Sequence, residues 1–106
     1  MNGPTMCHTR GDSFVVQGRV SQDGIPVDIT DWVIRSQVRN GSEVVAELVI
    51  SMTDATKGLY RAEALDTTNW PLVTLDIDIH YAMPGGYKYT TPTGKVAVKP
   101  GGYYAP

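Results

Sequence analysis

Asp76, Asp78 and His80 recur at i, i+2 and i+4, so on an extended strand all three side chains project from one face. Two carboxylates and an imidazole so placed could hold a divalent cation if neighbouring strands supplied further ligands. The same alternation is the ordinary pattern of the solvated face of a half-buried strand. No metal-ligand spacing recurs elsewhere in the chain, and the solvated face is the stronger reading. Cys7-His8 stands near the N-terminus, and the single cysteine of the chain cannot form an internal disulfide, so Cys7 reads as a free thiol.

Other short motifs have structural readings that outweigh the chemical ones. Arg10-Gly11-Asp12, followed by Ser13, spells the tripeptide that integrins read from exposed loops. It equally describes a turn delivering the chain into its first strand, with Asp12 bonding nearby amides. Asn40-Gly41-Ser42 has the form of a glycosylation acceptor, yet Asn-Gly is also what a two-residue hairpin demands. Met1–Thr9 contain Pro4 and no apolar core, which gives no secretory signal and favours the hairpin.

Enzyme signatures are missing from the sequence. No G-x-S-x-G elbow occurs, and Gly94-Lys95 is followed by Val96 where a phosphate loop needs Ser or Thr for magnesium. A Ser-His-Asp triad would have to be built on His80, because His8 falls on a terminal arm. Asp28 and Asp31 lie in a turn, where Asp is ordinary. No catalytic, cofactor-binding or metal-ligating residue is assigned, and the chain reads as a non-enzyme without a cofactor.

The aromatics are the remaining candidates. Tyr87 and Tyr89 share one strand face, and Tyr103 and Tyr104 follow Gly101-Gly102. Tyrosines with a nearby tryptophan make a sugar-binding platform or an interface anchor. The alternation favours Tyr87 and Tyr89 as core residues, leaving the tail tyrosines as the adhesive piece for a neighbouring subunit.

Composition fixes what must position these residues. The 106 residues fit one domain, and a net charge of −2 from 9 basic and 11 acidic side chains argues against a phosphate-binding protein. No apolar run approaches the ~20 residues of a membrane-spanning helix. Val, Ile and Thr make 29 residues against 19 for Leu, Ala, Lys and Glu. That excess favours strands, because β-branched side chains lose freedom on a helix and pack well on a pleated sheet. Trp32, Ile34 and Val38 alternate with Arg35, Gln37 and Arg39, and Leu75, Ile77, Ile79 and Tyr81 alternate with Asp76, Asp78 and His80.

The pattern predicts strands near 13–20, 32–39, 44–52, 58–64, 74–82, 87–91 and 95–99, with a short edge piece near 25–29. Tight turns are expected at Asp23-Gly24, Asn40-Gly41 and Gly85-Gly86, and a looser one over Asp54–Gly58. Asp66 is expected to cap one helical turn that Pro71 ends. The expected core is Phe14, Val16, Val20, Trp32, Ile34, Val38, Leu48, Ile50, Tyr60, Ala62, Leu75, Ile77, Ile79, Tyr81, Val96 and Val98. About seven short antiparallel strands suggest a β-sandwich, although a small barrel fits the same pattern. The domain is expected over 11–99, between a flexible arm over 1–10 and a flexible tail over 100–106.

The order of segments also carries a resemblance. Gly11-Asp12-Ser13-Phe14 opens the first strand, and Pro26-Val27-Asp28-Ile29-Thr30 leads into Trp32-Val33-Ile34-Arg35 and Gln37-Val38-Arg39. Gly58-Leu59-Tyr60 follows, then Trp70-Pro71 with Asp76-Ile77 and Tyr81. Over roughly residues 11–99 the chain resembles the small β-sandwich domain of tailed-phage tail proteins. That domain occurs at the N-terminus of baseplate upper proteins and in stand-alone proteins of the tail-fibre attachment (collar) type. Asp31 stands where these domains often have Gly, and no fibre-like extension follows Pro100, which points to a single-domain collar, neck or tail accessory protein. The resemblance implies an all-β, immunoglobulin-like antiparallel sandwich, no cofactor and a structural role in a virion assembled in the bacterial cytoplasm. Its implied partners are other tail or neck proteins and further copies of itself, with neither nucleic acid nor membrane. The alternative from the residues is a receptor- or carbohydrate-binding module that uses exposed tyrosines.

Overall fold

A computed structural model describes residues 5–91 and 93–101. The strands are β1 (Thr5–Thr9), β2 (Phe14–Arg19), β3 (Ser21–Gln22), β4 (Ile25–Pro26), β5 (Val33–Asn40), β6 (Glu43–Asp54), β7 (Leu59–Ala64), β8 (Thr74–Ala82), β9 (Lys88–Thr90) and β10 (Gly94–Lys99). Every run expected from β-branched alternation is a strand, and none of the described residues is α-helical. Asp23 and Gly24 both take positive φ in the β3–β4 turn, as a tight hairpin turn requires. In the β5–β6 hairpin Asn40 pairs with Glu43, so Gly41 and Ser42 are the loop residues, one position later than expected.

Eight strands form one sheet in the order β1-β10-β8-β5-β6-β7-β2, with β9 added on β8, and β3 and β4 make a separate ribbon. The sheet is antiparallel except where β1 lies parallel to β10. Its curvature comes largely from β6. The residues up to Leu48 pair with β5, and from Val49 onward the strand pairs with β7. One 12-residue strand thereby turns the corner between two parts of the sheet, and strand twist carries the rest round until the sheet is nearly barrel-shaped. Among the described residues β1 and β2 are the two ends of this strand path and are not joined to each other.

The interior fills in two connected clusters. Phe14, Val38, Leu48, Ala62, Trp70, Leu75, Ile77, Val96 and Val98 form the larger one. Ile29, Ile34, Tyr60 and Tyr81 form the other, and half-buried Ile50 touches both. Val16, Val20, Trp32, Ile50 and Ile79, expected inside, are half-buried around these centres. Ile29, Trp70, Ser36 and Thr67 are buried without having been expected. Ser36 lies on the inward side of β5 between Ile34 and Val38, and its hydroxyl donates to the Asp78 carbonyl at 2.9 Å, which makes its burial affordable.

Two expectations need correction here. Thr5–Thr9, read as part of an unstructured arm, is a strand whose Met6 packs on the core and whose five residues all pair with β10. Asp66–Trp70 forms no helical turn: the Asp66 carboxylate accepts from the Thr68 amide at 2.9 Å, and the Trp70 amide closes on the Thr67 carbonyl at 3.1 Å. The carboxylate bonds the chain as an N-cap does, but Pro71 follows before a helix can propagate. Pro100–Gly101 follow β10 without further strand, and the rest of the expected tail lies outside the described residues.

Gly58 ties the ribbon to the barrel. Its φ is +74°, and a Cβ there would stand 2.3 Å from the Val20 carbonyl oxygen and 2.8 Å from that of Val27. The closeness lets the Gly58 carbonyl accept from the Val20 amide at 2.8 Å, while the Ala55 carbonyl takes the Ile29 amide at 2.9 Å. The ribbon end is therefore held by backbone contacts that only glycine permits.

Candidate binding site

The second core cluster opens to solvent at one end of the barrel. Tyr60 and Tyr81 are buried on facing strands, their hydroxyls 2.6 Å apart and their rings edge to face at 6.1 Å. The Tyr60 ring lies flat over its cross-strand partner Gly18, where a Cβ would come within 1.9 Å of Tyr60 Cζ. Burial pushes both phenols above the ordinary tyrosine range, so both are neutral and share one hydrogen bond. Trp32 stands edge-on to Tyr81 at 5.8 Å.

β9 adds an outer layer to this cluster. A short 3-10 turn over Pro84–Gly86 reverses the chain, closed by the Met83 amide on the Tyr87 carbonyl at 2.8 Å. Tyr89 then falls opposite Tyr81 in the register, and its ring stacks on Tyr81 with centroids 6.3 Å apart and an interplanar angle of 13°. Cross-strand neighbours project from the same face, which is why the rings meet. Tyr89 remains 53% exposed and Tyr87 72% exposed. Their expected place in the core is thus corrected. Alternation gives the shared face, but β9 overhangs the end of the barrel, where no second layer among the described residues covers it.

Beneath these rings lies a cleft of about 870 Å³ between the β8–β9 hairpin and the β2–β3 corner. Aromatic and apolar walls come from Trp32, Tyr81, Met83, Tyr87 and Tyr89, and polar groups from Ser21, Gln22 and Thr91. Arg19 and Lys88 stand at its sides. An apolar cavity with a few convergent polar groups is the usual form of a ligand site. Of these residues, the sequence pointed to Tyr87 and Tyr89 with a nearby tryptophan, and placed Tyr81 in the core. A turn centred on Gly85 pairs Tyr81 with Tyr89, so the signal for this platform was present in the hairpin register. Arg19 and Met83 reach the cleft through the fold and carried no local signal.

The remaining candidates are accounted for by ordinary contacts. Asp76, Asp78 and His80 do share the outer face of β8. Asp76 is ion-paired with Lys95, and Asp78 with Arg39, while Thr93 donates to Asp78 at 2.8 Å. His80 Nδ1 lies 2.8 Å from the Thr90 hydroxyl. Neighbouring strands therefore bring cations and hydroxyls to the carboxylates, and no group of three or more metal-ligating side chains forms among the described residues. Arg35 and Glu47 extend the same charged ladder, which borders a groove of about 440 Å³. Lys95 belongs to this ladder and Gly94 begins β10, so the Gly94-Lys95 pair sits on a strand. Asp28 bonds the Thr30 amide at 3.0 Å, and the Thr30 hydroxyl and amide hold its carboxyl below the ordinary carboxylate range.

Arg10-Gly11-Asp12 is a turn, with the Asp12 amide bonded to the Thr9 carbonyl at 3.2 Å. The bonding is done by backbone and not by the Asp12 carboxylate. Thr67 Oγ1 donates to the Asp12 carbonyl at 2.7 Å and accepts from the Gly11 amide at 2.9 Å. His8 Nε2 lies 3.0 Å from Thr67 Oγ1 and 3.1 Å from the Asp12 carbonyl. Because the single Thr67 proton is already directed at Asp12, Nε2 carries the proton that His8 donates. His8 is thus a structural group on β1, and Cys7 beside it is an exposed free thiol. Tyr103 and Tyr104 lie outside the described residues. No protein-family model matches the chain, and no curated protein sequence matches it.

Proposed function

We propose that this chain is a structural protein of a tailed bacteriophage or prophage, a tail, collar or baseplate component of the virion that acts through contacts with other tail proteins and with copies of itself. We further propose that its nearly closed sheet is a variant of the immunoglobulin-like sandwich, with β6 as the strand shared by its two layers. The observation that carries the functional reading is the open edge of β1. Among the described residues this strand is paired on one side only, with β10, and β2 ends the strand path on the opposite side. Unpaired strand edges accept a strand from a neighbour, and symmetry closes such contacts into a ring.

The test is light scattering of the full chain, alone and mixed with tail proteins of the phage or prophage that encodes it, together with mass spectrometry of purified virions. A stable higher-order species and presence in the particle are expected. A strict monomer that binds none of those proteins and is missing from virions overturns the reading. A second reading, a receptor- or carbohydrate-binding module, is favoured by the exposure of Tyr87 and Tyr89 above the cleft.

A further inference from the structure

The charged side chains that line the cleft are all cationic. Arg19 and Lys88 line it, and no Asp or Glu does, although acidic side chains outnumber basic ones in the chain. Among the described residues neither cation enters an ion pair, which is also true of Arg10, Arg61 and Lys99, whereas Arg35, Arg39, Lys57 and Lys95 each have an acidic partner. Two uncompensated cations beside a low-dielectric aromatic wall create a local positive potential that favours an anionic ligand.

The rings specify the rest of that ligand. Tyr89 is stacked on Tyr81 on one side and exposed on the other, so it presents a rigid flat surface backed by buried structure. Such a surface takes the aliphatic face of a pyranose ring, while Ser21, Gln22 and Thr91 offer hydroxyl and amide groups that match sugar hydroxyls. A single-stranded nucleic acid also stacks on aromatic rings, but it calls for a longer cationic track than two side chains supply. We infer that this cleft binds an acidic saccharide, with a sugar ring against Tyr89 and Tyr87 and its carboxylate reached by Arg19 and Lys88. The inference rests on the second of the two functional readings.

The experiment titrates the full chain with an oligouronate and with a neutral oligohexose of equal length, followed by calorimetry and the Trp32 indole resonance. The oligouronate should bind about tenfold more tightly, the order expected for hydrogen bonds to a charged group. The double variant Arg19→Ala/Lys88→Ala should lower oligouronate binding to the level of the neutral saccharide. Tyr89→Ala should weaken both by about tenfold or more, with an unaltered circular dichroism spectrum. Equal binding of the two saccharides, or an oligouronate affinity untouched in the double variant, overturns the acidic class while the carbohydrate reading stands. Binding of neither saccharide overturns both. Comparable binding of polyglutamate or oligothymidylate marks general electrostatic attraction and also overturns the inference.

Discussion

Each end of the barrel carries a group of aromatic rings beside small hydroxyl side chains, and the two groups end in opposite states. At one end His8, Phe14 and Trp70 pack with centroids 5.1–5.5 Å apart, and the Arg10–Asp12 turn is pinned over them by the buried Thr67 hydroxyl. At the other end Trp32, Tyr81 and Tyr89 stack outward into a cleft. The closed end has a lid because β1 and β2 are joined by four residues that must cross it. The open end has β9, a three-residue strand paired on one edge to β8. Similar residue types are therefore sealed or presented according to which connection passes over them.

The sharpest way to break the contrast is at the closed end. Trp70 is 4% exposed and touches both other rings. Trp70→Ala should cost about 3–5 kcal/mol, the range for truncating a buried aromatic side chain, read as a lowered urea midpoint at unchanged slope. Thr67→Val should follow at about 2–3 kcal/mol. It keeps the side-chain volume but strips the Gly11 amide of its acceptor and the Asp12 carbonyl of its hydroxyl donor. His8 Nε2 can still donate to that carbonyl, which limits the loss. Measured by chemical denaturation, a cost below about 0.5 kcal/mol would mean that water replaces the hydroxyl and that the lid is not sealed.

The asymmetry was only half legible in the sequence. Period-two runs such as Leu75–Tyr81 placed β8 and its solvated carboxylates correctly, because a local alternation is enough to fix the faces of a strand. β1 was missed for two physical reasons. Its inward residues, Met6 and His8, are a weak apolar pair, and its parallel partner β10 lies at the far end of the chain with no turn to announce it. Trp70 and Ile29 enter the core from irregular segments, where no period exists to read. Tyr87 and Tyr89 show the opposite limit. Alternation reports which way a side chain points and says nothing of whether another layer stands in front of it.

Between the two ends lies the Tyr60–Tyr81 pair, which gives the contrast a pH axis. Burial raises both phenols above their ordinary value of about 10. The native state thus favours the neutral forms. Their contribution to stability is complete below about pH 10 and is lost as pH rises from there through the raised folded-state values. Denaturation followed between pH 8 and 12 should show a steepening loss above pH 10, and this loss should be smaller in Tyr81→Phe. At neutral pH the same variant should lose about 1 kcal/mol, the net worth of the single hydroxyl–hydroxyl bond. A Tyr81→Phe protein with the full alkaline loss of the parent would assign that loss to other groups.

The smallest effect belongs to the outermost ring. Tyr89 stacks on Tyr81 yet is 53% exposed, so its removal uncovers only part of one buried face. Tyr89→Ala should cost no more than about 0.5–1 kcal/mol, including the stacking lost with Tyr81. The informative quantity is its ratio to Trp70→Ala in the same denaturation assay. A ratio near one-fifth fits a ring retained for contact with something outside the molecule, because the fold draws little from it. A ratio near unity would make β9 a true wall of the core, and the cleft beneath it a packing defect. The comparison of the two ends would then reduce to a difference in degree of closure.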